Sequence, residues 1–127
     1  MIIKKNSDIP EEIRQEEGVK DVLRRVLIGP KDGSSNIIMR YFKVLPGGNT
    51  PLHSHSHEHV VKIEKGKGIV VDEHGNENIV FQGQSLFIEG SKEHQFKNSF
   101  DNSFEFLCVI LNPEKNPSEQ NSLRTKS

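Results

Sequence analysis

Between positions 53 and 59 the chain reads His-Ser-His-Ser-His-Glu-His, which places four of its six histidines just after Pro46-Gly47-Gly48. Neutral imidazole is a strong ligand for divalent transition metals, so the chemistry this run offers first is metal binding. In an extended segment alternate side chains share a face. His53 and His55 therefore point the same way, and His59 follows two same-face steps further on. A solvated His-rich tract would also bind metal, but loosely and without consequence. The position of the run argues against that reading, because it is internal and leads straight into the apolar alternation of Val61 and Ile63.

The elements that must position these side chains read as strands. Short runs rich in Val, Ile and Phe are separated by Gly, Asn, Asp and Pro clusters, the punctuation of an all-β domain. The expected strands are Val22–Ile28, Asn36–Leu45, His59–Glu64, Gly68–Asp72, Glu77–Phe81, Ser85–Ile88, Gln95–Asn98 and Phe104–Leu111. Asp72 to Asn76 is a hairpin turn in which Gly75 supplies positive φ and His74 is a solvated tip residue. Ile9 to Glu17 is expected to form one or two helical turns, with Pro10 at a first helical position and Glu11 and Glu12 at the N-terminal end. From Pro113 the chain turns polar and is read as a disordered tail. The division is thus an N-terminal arm over 1–21, one β domain over 22–112 and a tail over 113–127.

Composition narrows the function classes. A chain of 127 residues holds one domain, and a 32% hydrophobic fraction gathered into alternating runs suffices for a small barrel or sandwich. Lys and Arg number 17 against 18 Asp and Glu, and they are scattered, which excludes the basic footprint of a nucleic-acid binder. No apolar stretch approaches the roughly 20 residues of a membrane span, and Met1 to Lys5 lacks a signal-peptide core, so the expectation is a cytoplasmic protein. The single cysteine, Cys108, fits a reducing compartment and is read as a packed small hydrophobe rather than a nucleophile.

A second histidine signal follows: Gly83, then Ser85-Leu86-Phe87-Ile88-Glu89-Gly90, then His94, Phe96 and Asn98. Together with the first run it resembles the paired motifs of the cupin superfamily. Gly47, His53, His55, His59 and Gly66 meet the spacing of the first motif, with His59 where the usual Glu would stand. Gly83, His94 and Asn98 meet that of the second, with Glu89 in place of its Pro and Ser91 in place of its Gly; Gly90 is the expected substitute for the turn. The resemblance implies an antiparallel jelly-roll β-barrel, metal ligands at His53, His55, His59 and His94, and a homodimer. It is similar to the small single-domain cupins with a four-histidine site, a group that includes manganese-binding proteins. Manganese is therefore the first choice of metal, with iron, nickel, zinc and copper open.

Four neutral imidazoles leave the full dipositive charge on the metal, so the site favours an anionic or chelating oxygen ligand. Along Ile38, Arg40, Phe42 and Val44 one strand face is apolar except for Arg40. An inward Arg40 would anchor a ligand carboxylate; the alternative is a snorkelling or ion-paired arginine at a barrel mouth. His57 is expected as a rim residue or neighbour of the ligands rather than a fifth ligand. Phe42, Phe96 and Phe106 complete the expected substrate pocket, with Phe87, Phe96 and Phe106 as core or pocket wall. Two functions follow: a metal-dependent enzyme on a small oxygen-rich metabolite (dioxygenase, lyase, isomerase or decarboxylase), or a non-catalytic metal- and metabolite-binding module.

Overall fold

A computed structural model describes residues 1–115. Among these it contains nine strands: β1 (Glu12–Ile13), β2 (Lys20–Ile28), β3 (Ile37–Asn49), β4 (His59–Lys65), β5 (Lys67–Val71), β6 (Glu77–Phe81), β7 (Ser85–Ile88), β8 (Gln95–Lys97) and β9 (Phe104–Leu111). The pairings are antiparallel and run β6-β5-β8-β3-β9-β4-β7, with β2 added to β3 and β1 to β2. The sheet curls into an all-β jelly-roll barrel around one core. All eight expected strands form.

Two differences have local causes. The expected helix over 9–17 is absent: Asn6–Asp8 makes one 3-10 turn, and Glu12–Ile13 pairs with the edge of β2. Arg14 N donates to the Val22 carbonyl and Arg25 Nε to the Ile9 carbonyl. Ile9 and Ile13 are the segment's only apolar pair at helical spacing, too little to anchor so short a helix, so an open strand edge satisfies its backbone better. β3 also continues past Leu45 through Pro46-Gly47-Gly48. Its ladder with β9 ends at Val44, while that with β2 is interrupted there and resumes at Asn49, which pairs with Lys20 of β2 and Lys97 of β8. Gly47 takes the left-handed φ of +84° at this corner, and a Cβ on Gly48 would press on the Lys20 and Leu45 carbonyls. Past this corner the chain follows β8, and His53 bridges His94 just before that strand.

Alternation sets the interior. Ile38, Arg40, Phe42 and Val44 of β3 lie in register with Ile110, Cys108, Phe106 and Phe104 of β9. The rings of Phe42, Phe96 and Phe104 gather on Phe106, with Phe96 and Phe106 stacked at 4.3 Å. Cys108 is buried here, as a packed residue. Phe87, expected inside, is instead exposed. Pairing of β7 with β4 sets His59 opposite Ile88, Val60 opposite Phe87 and Val61 opposite Leu86, so Leu86 and Ile88 share the inner face and Phe87 points out with Val60. Pro113–Lys115 forms a 3-10 turn, and the tail from 116 onward lies outside the described residues. Among the described residues no helix is long and apolar enough to cross a membrane.

Candidate metal centre

Five imidazoles meet at one place in the barrel. Ring centroids run His53 to His55 at 4.3 Å, His55 to His57 at 4.8 Å, His57 to His59 at 4.7 Å, His59 to His94 at 4.9 Å and His94 back to His53 at 5.1 Å. The contacts close into a circuit. Ligand atoms of His55, His57 and His59 lie within 4.8 Å of one another, so this cluster could hold a metal ion. His57 is buried and stacks on His55, deeper than a rim position; its neighbours are nevertheless the residues the motif names as ligands.

The two motifs are clasped by backbone. His53 N donates to the His94 carbonyl at 3.1 Å and His94 N to the His53 carbonyl at 2.9 Å, an isolated antiparallel bridge that sets both imidazoles side by side. His59 enters from the first position of β4 and His94 from just before β8. Asn98 secures the corner below: its amide donates to the Val44 and Asn102 carbonyls, and Gly47 N donates to its backbone carbonyl. The glycine expected to replace the second-motif turn does something else. Ser91 itself holds the left-handed φ of +66°, while Gly90 is needed because a Cβ there would overlap the Ser56 carbonyl oxygen.

The donor set suits a cation. His94 Nδ1 lies 2.9 Å from the Lys92 carbonyl, which only accepts, so Nδ1 carries the proton and Nε2 keeps its lone pair for a metal. Burial first, then the charges of His94, His57, Arg40 and His55, hold the His59 pKa down at about 2. His94 is also lowered by burial, against the hydrogen bond to Lys92. His59 Nδ1 is buried without a hydrogen-bond partner, which a purely structural histidine would rarely tolerate. Neutral, buried imidazoles with available nitrogens are what a divalent transition metal binds.

Arg40 lies on the inner face. Its Nη2 is 3.2 Å from Cys108 Sγ, its guanidinium sits 5.0 Å over the Phe42 ring, and Nε is buried without a hydrogen-bond partner. Among the described residues no carboxylate pairs with it, and its charge reaches His59. Of the remaining expected pocket residues, Phe96 and Phe106 are buried in the ring cluster under the histidines, with His94 and Phe96 centroids 6.2 Å apart. Phe42 stacks on Phe106 beneath Arg40. Sequence reasoning missed the contributions of Lys92, Ser56 and Cys108. Two act through backbone atoms and the third through a cross-strand register, and none of these leaves a residue-type signal.

The chain belongs to the cupin family: the cupin-domain model matches residues 40–110. A curated relative, 1-methylthio-D-xylulose 5-phosphate methylsulfurylase of Rhodospirillum rubrum, is 33% identical over 99 residues, which is 76% of this chain and 62% of that protein. The chain thus spans less than two thirds of that relative's length. The oxalate-binding protein of Thermotoga maritima is 25% identical over 114 residues, covering 87% of this chain and 93% of that one. Among solved structures, the polyketide cyclase RemF from Streptomyces resistomycificus superposes with a TM-score of 0.83 at 30% identity, covering 87% of this chain and 79% of that one.

Proposed function

We propose that this cupin holds one divalent transition-metal ion per chain on His53, His55, His59 and His94, manganese being the first choice. We further propose that it acts there as a metal-dependent oxidoreductase, lyase or isomerase on a small oxygen-rich anion. The observation that carries the reading is the closed circuit of imidazoles beside Arg40. A bound divalent ion would supply a Lewis-acidic centre for an oxygen ligand. The protein's own groups do the rest. The Lys92 carbonyl fixes the His94 tautomer, the Phe42 ring supports the Arg40 guanidinium, and Phe96 and Phe106 close the floor against water. A cation beside a dipositive ion is unfavourable unless an anion lies between them, which supports an anionic ligand.

A second reading, a metal- and metabolite-binding module without catalysis, is favoured by one observation. The groups that act most on His59 are Arg40 and the imidazoles of the cluster itself, so no separate acid–base group is marked out beside the metal site. We also assign a homodimer and, from the lone buried thiol of Cys108, a reducing cytoplasmic compartment. The ligand assignment is tested by elemental analysis of purified protein. His94→Ala is expected to lose most bound metal while keeping its β-sheet circular dichroism, and His57→Ala to keep its metal. Full occupancy in His94→Ala would overturn the ligand set.

A further inference from the structure

The inner face that carries Arg40 continues outward onto β2 and β1 with two more arginines. Registered pairs point to the same side of a sheet. Glu12 of β1 faces Arg24 of β2, which faces Phe42 of β3, and Val26 faces Arg40 one step further along. Arg14, two residues after Glu12 and with its N–H bonded to the Val22 carbonyl, returns to that same side. The guanidinium of Arg14 is held below its ordinary value by burial, then by the charges of Arg24 and Arg40. Arg40 registers with Cys108 and Cys108 with Val61, and His59 lies two residues before Val61 on that same inner face of β4. Three guanidiniums thus form a continuous path from the histidine cluster to the N-terminal arm. Glu12 ion-pairs with Arg24 and Glu16 with Arg14, while Arg40 has no acidic partner among the described residues. Three cations against two carboxylates leave the path net positive, and both outer pairs are partly solvent-exposed, where an incoming anion can displace a carboxylate at little cost.

We propose that this path reads a second anionic group on the ligand, a carboxylate or phosphate held by Arg24 and Arg14 while the first anionic group lies between Arg40 and the metal site. The ligand class is then a two-headed anion a few bonds longer than a simple hydroxy acid. This rests on the metal-and-anion reading above.

The test is isothermal titration of the manganese-loaded full chain with two probes, glycolate (one anionic head) and 3-phosphoglycerate (a carboxylate and a phosphate). A charge-assisted contact to one guanidinium is worth about tenfold or more in affinity. 3-Phosphoglycerate should therefore bind at least about tenfold tighter than glycolate. R24Q and R14Q should each erase most of that advantage, with the loss falling on 3-phosphoglycerate rather than glycolate, and R40Q should weaken both probes. E12Q, which frees Arg24 without removing a cation, should tighten 3-phosphoglycerate. Equal affinity for the two probes, or an advantage that survives R24Q and R14Q, would overturn the path while leaving the metal-and-anion reading intact. Failure of both probes to bind metal-loaded protein would overturn both.

Discussion

At the scale of single residues, the substitution at position 59 sets the character of the site. A carboxylate there would cancel part of a metal's charge; His59, kept neutral by burial and its neighbours, cancels none. The six-residue spacing of Gly47 from His53 and the His-x-His repeat were legible because each is a local pattern. The turn at 89–91 was only half legible. The sequence offers one glycine where the chain needs two special residues: Gly90 for close approach to Ser56, and a left-handed φ at position 91, which a serine must supply. An L-residue in that region costs roughly 1–2 kcal/mol, partly offset in a glycine by backbone entropy. Ser91→Gly should therefore raise stability by up to about 1 kcal/mol in urea denaturation. Gly90→Ala should lower stability and weaken metal retention together, because the His55–His57 segment must shift; unchanged stability in Gly90→Ala would show that the loop yields freely.

At the scale of elements, the strands were legible and their phase was not always. Val61 and Ile63 alternate cleanly, so β4 has one possible inner face. Leu86-Phe87-Ile88 is apolar throughout, and only pairing with β4 decides that Phe87 faces out. The clasp between His53 and His94 is equally invisible locally, since it joins segments 41 residues apart by backbone atoms alone. On the outer face, Tyr41 and Ser103 hydroxyls donate to Glu105 at 2.8 and 2.6 Å, tying β3 to β9 and to the loop before it. Burial alone would raise the Glu105 pKa, but those hydrogen bonds and the charges of Lys43 and Lys65 outweigh it and hold the carboxyl below its ordinary value. A depressed carboxylate contributes stability that is present above its unfolded pKa and lost as pH falls through the folded one. Glu105→Gln is thus expected to cost about 1–2 kcal/mol near neutrality, with the gap to wild type closing as pH falls below about 4.5. A gap of constant size across that range in pH-dependent urea titrations would contradict this assignment.

At the scale of the whole molecule, the barrel's apolar surplus lies outside as well as within. Met39, Val109, Val60 and Phe87 form one registered row across β3, β9, β4 and β7, pointing outward, with Val60 and Phe87 more than half exposed. Such a row suits burial against a second copy, and light scattering at micromolar concentration should give twice the 14.4 kDa chain mass. Val60→Glu should shift the mass toward the monomer; a monomeric wild type would remove the dimer from the account. The metal and its ligands can be located together in a crystal structure of manganese-loaded protein with data at the metal absorption edge. One anomalous peak per chain is expected, bound by His53, His55, His59 and His94, with remaining positions open toward Arg40. A peak bound instead by His57 without His94, or no peak within the histidine circuit, would contradict that ligand set.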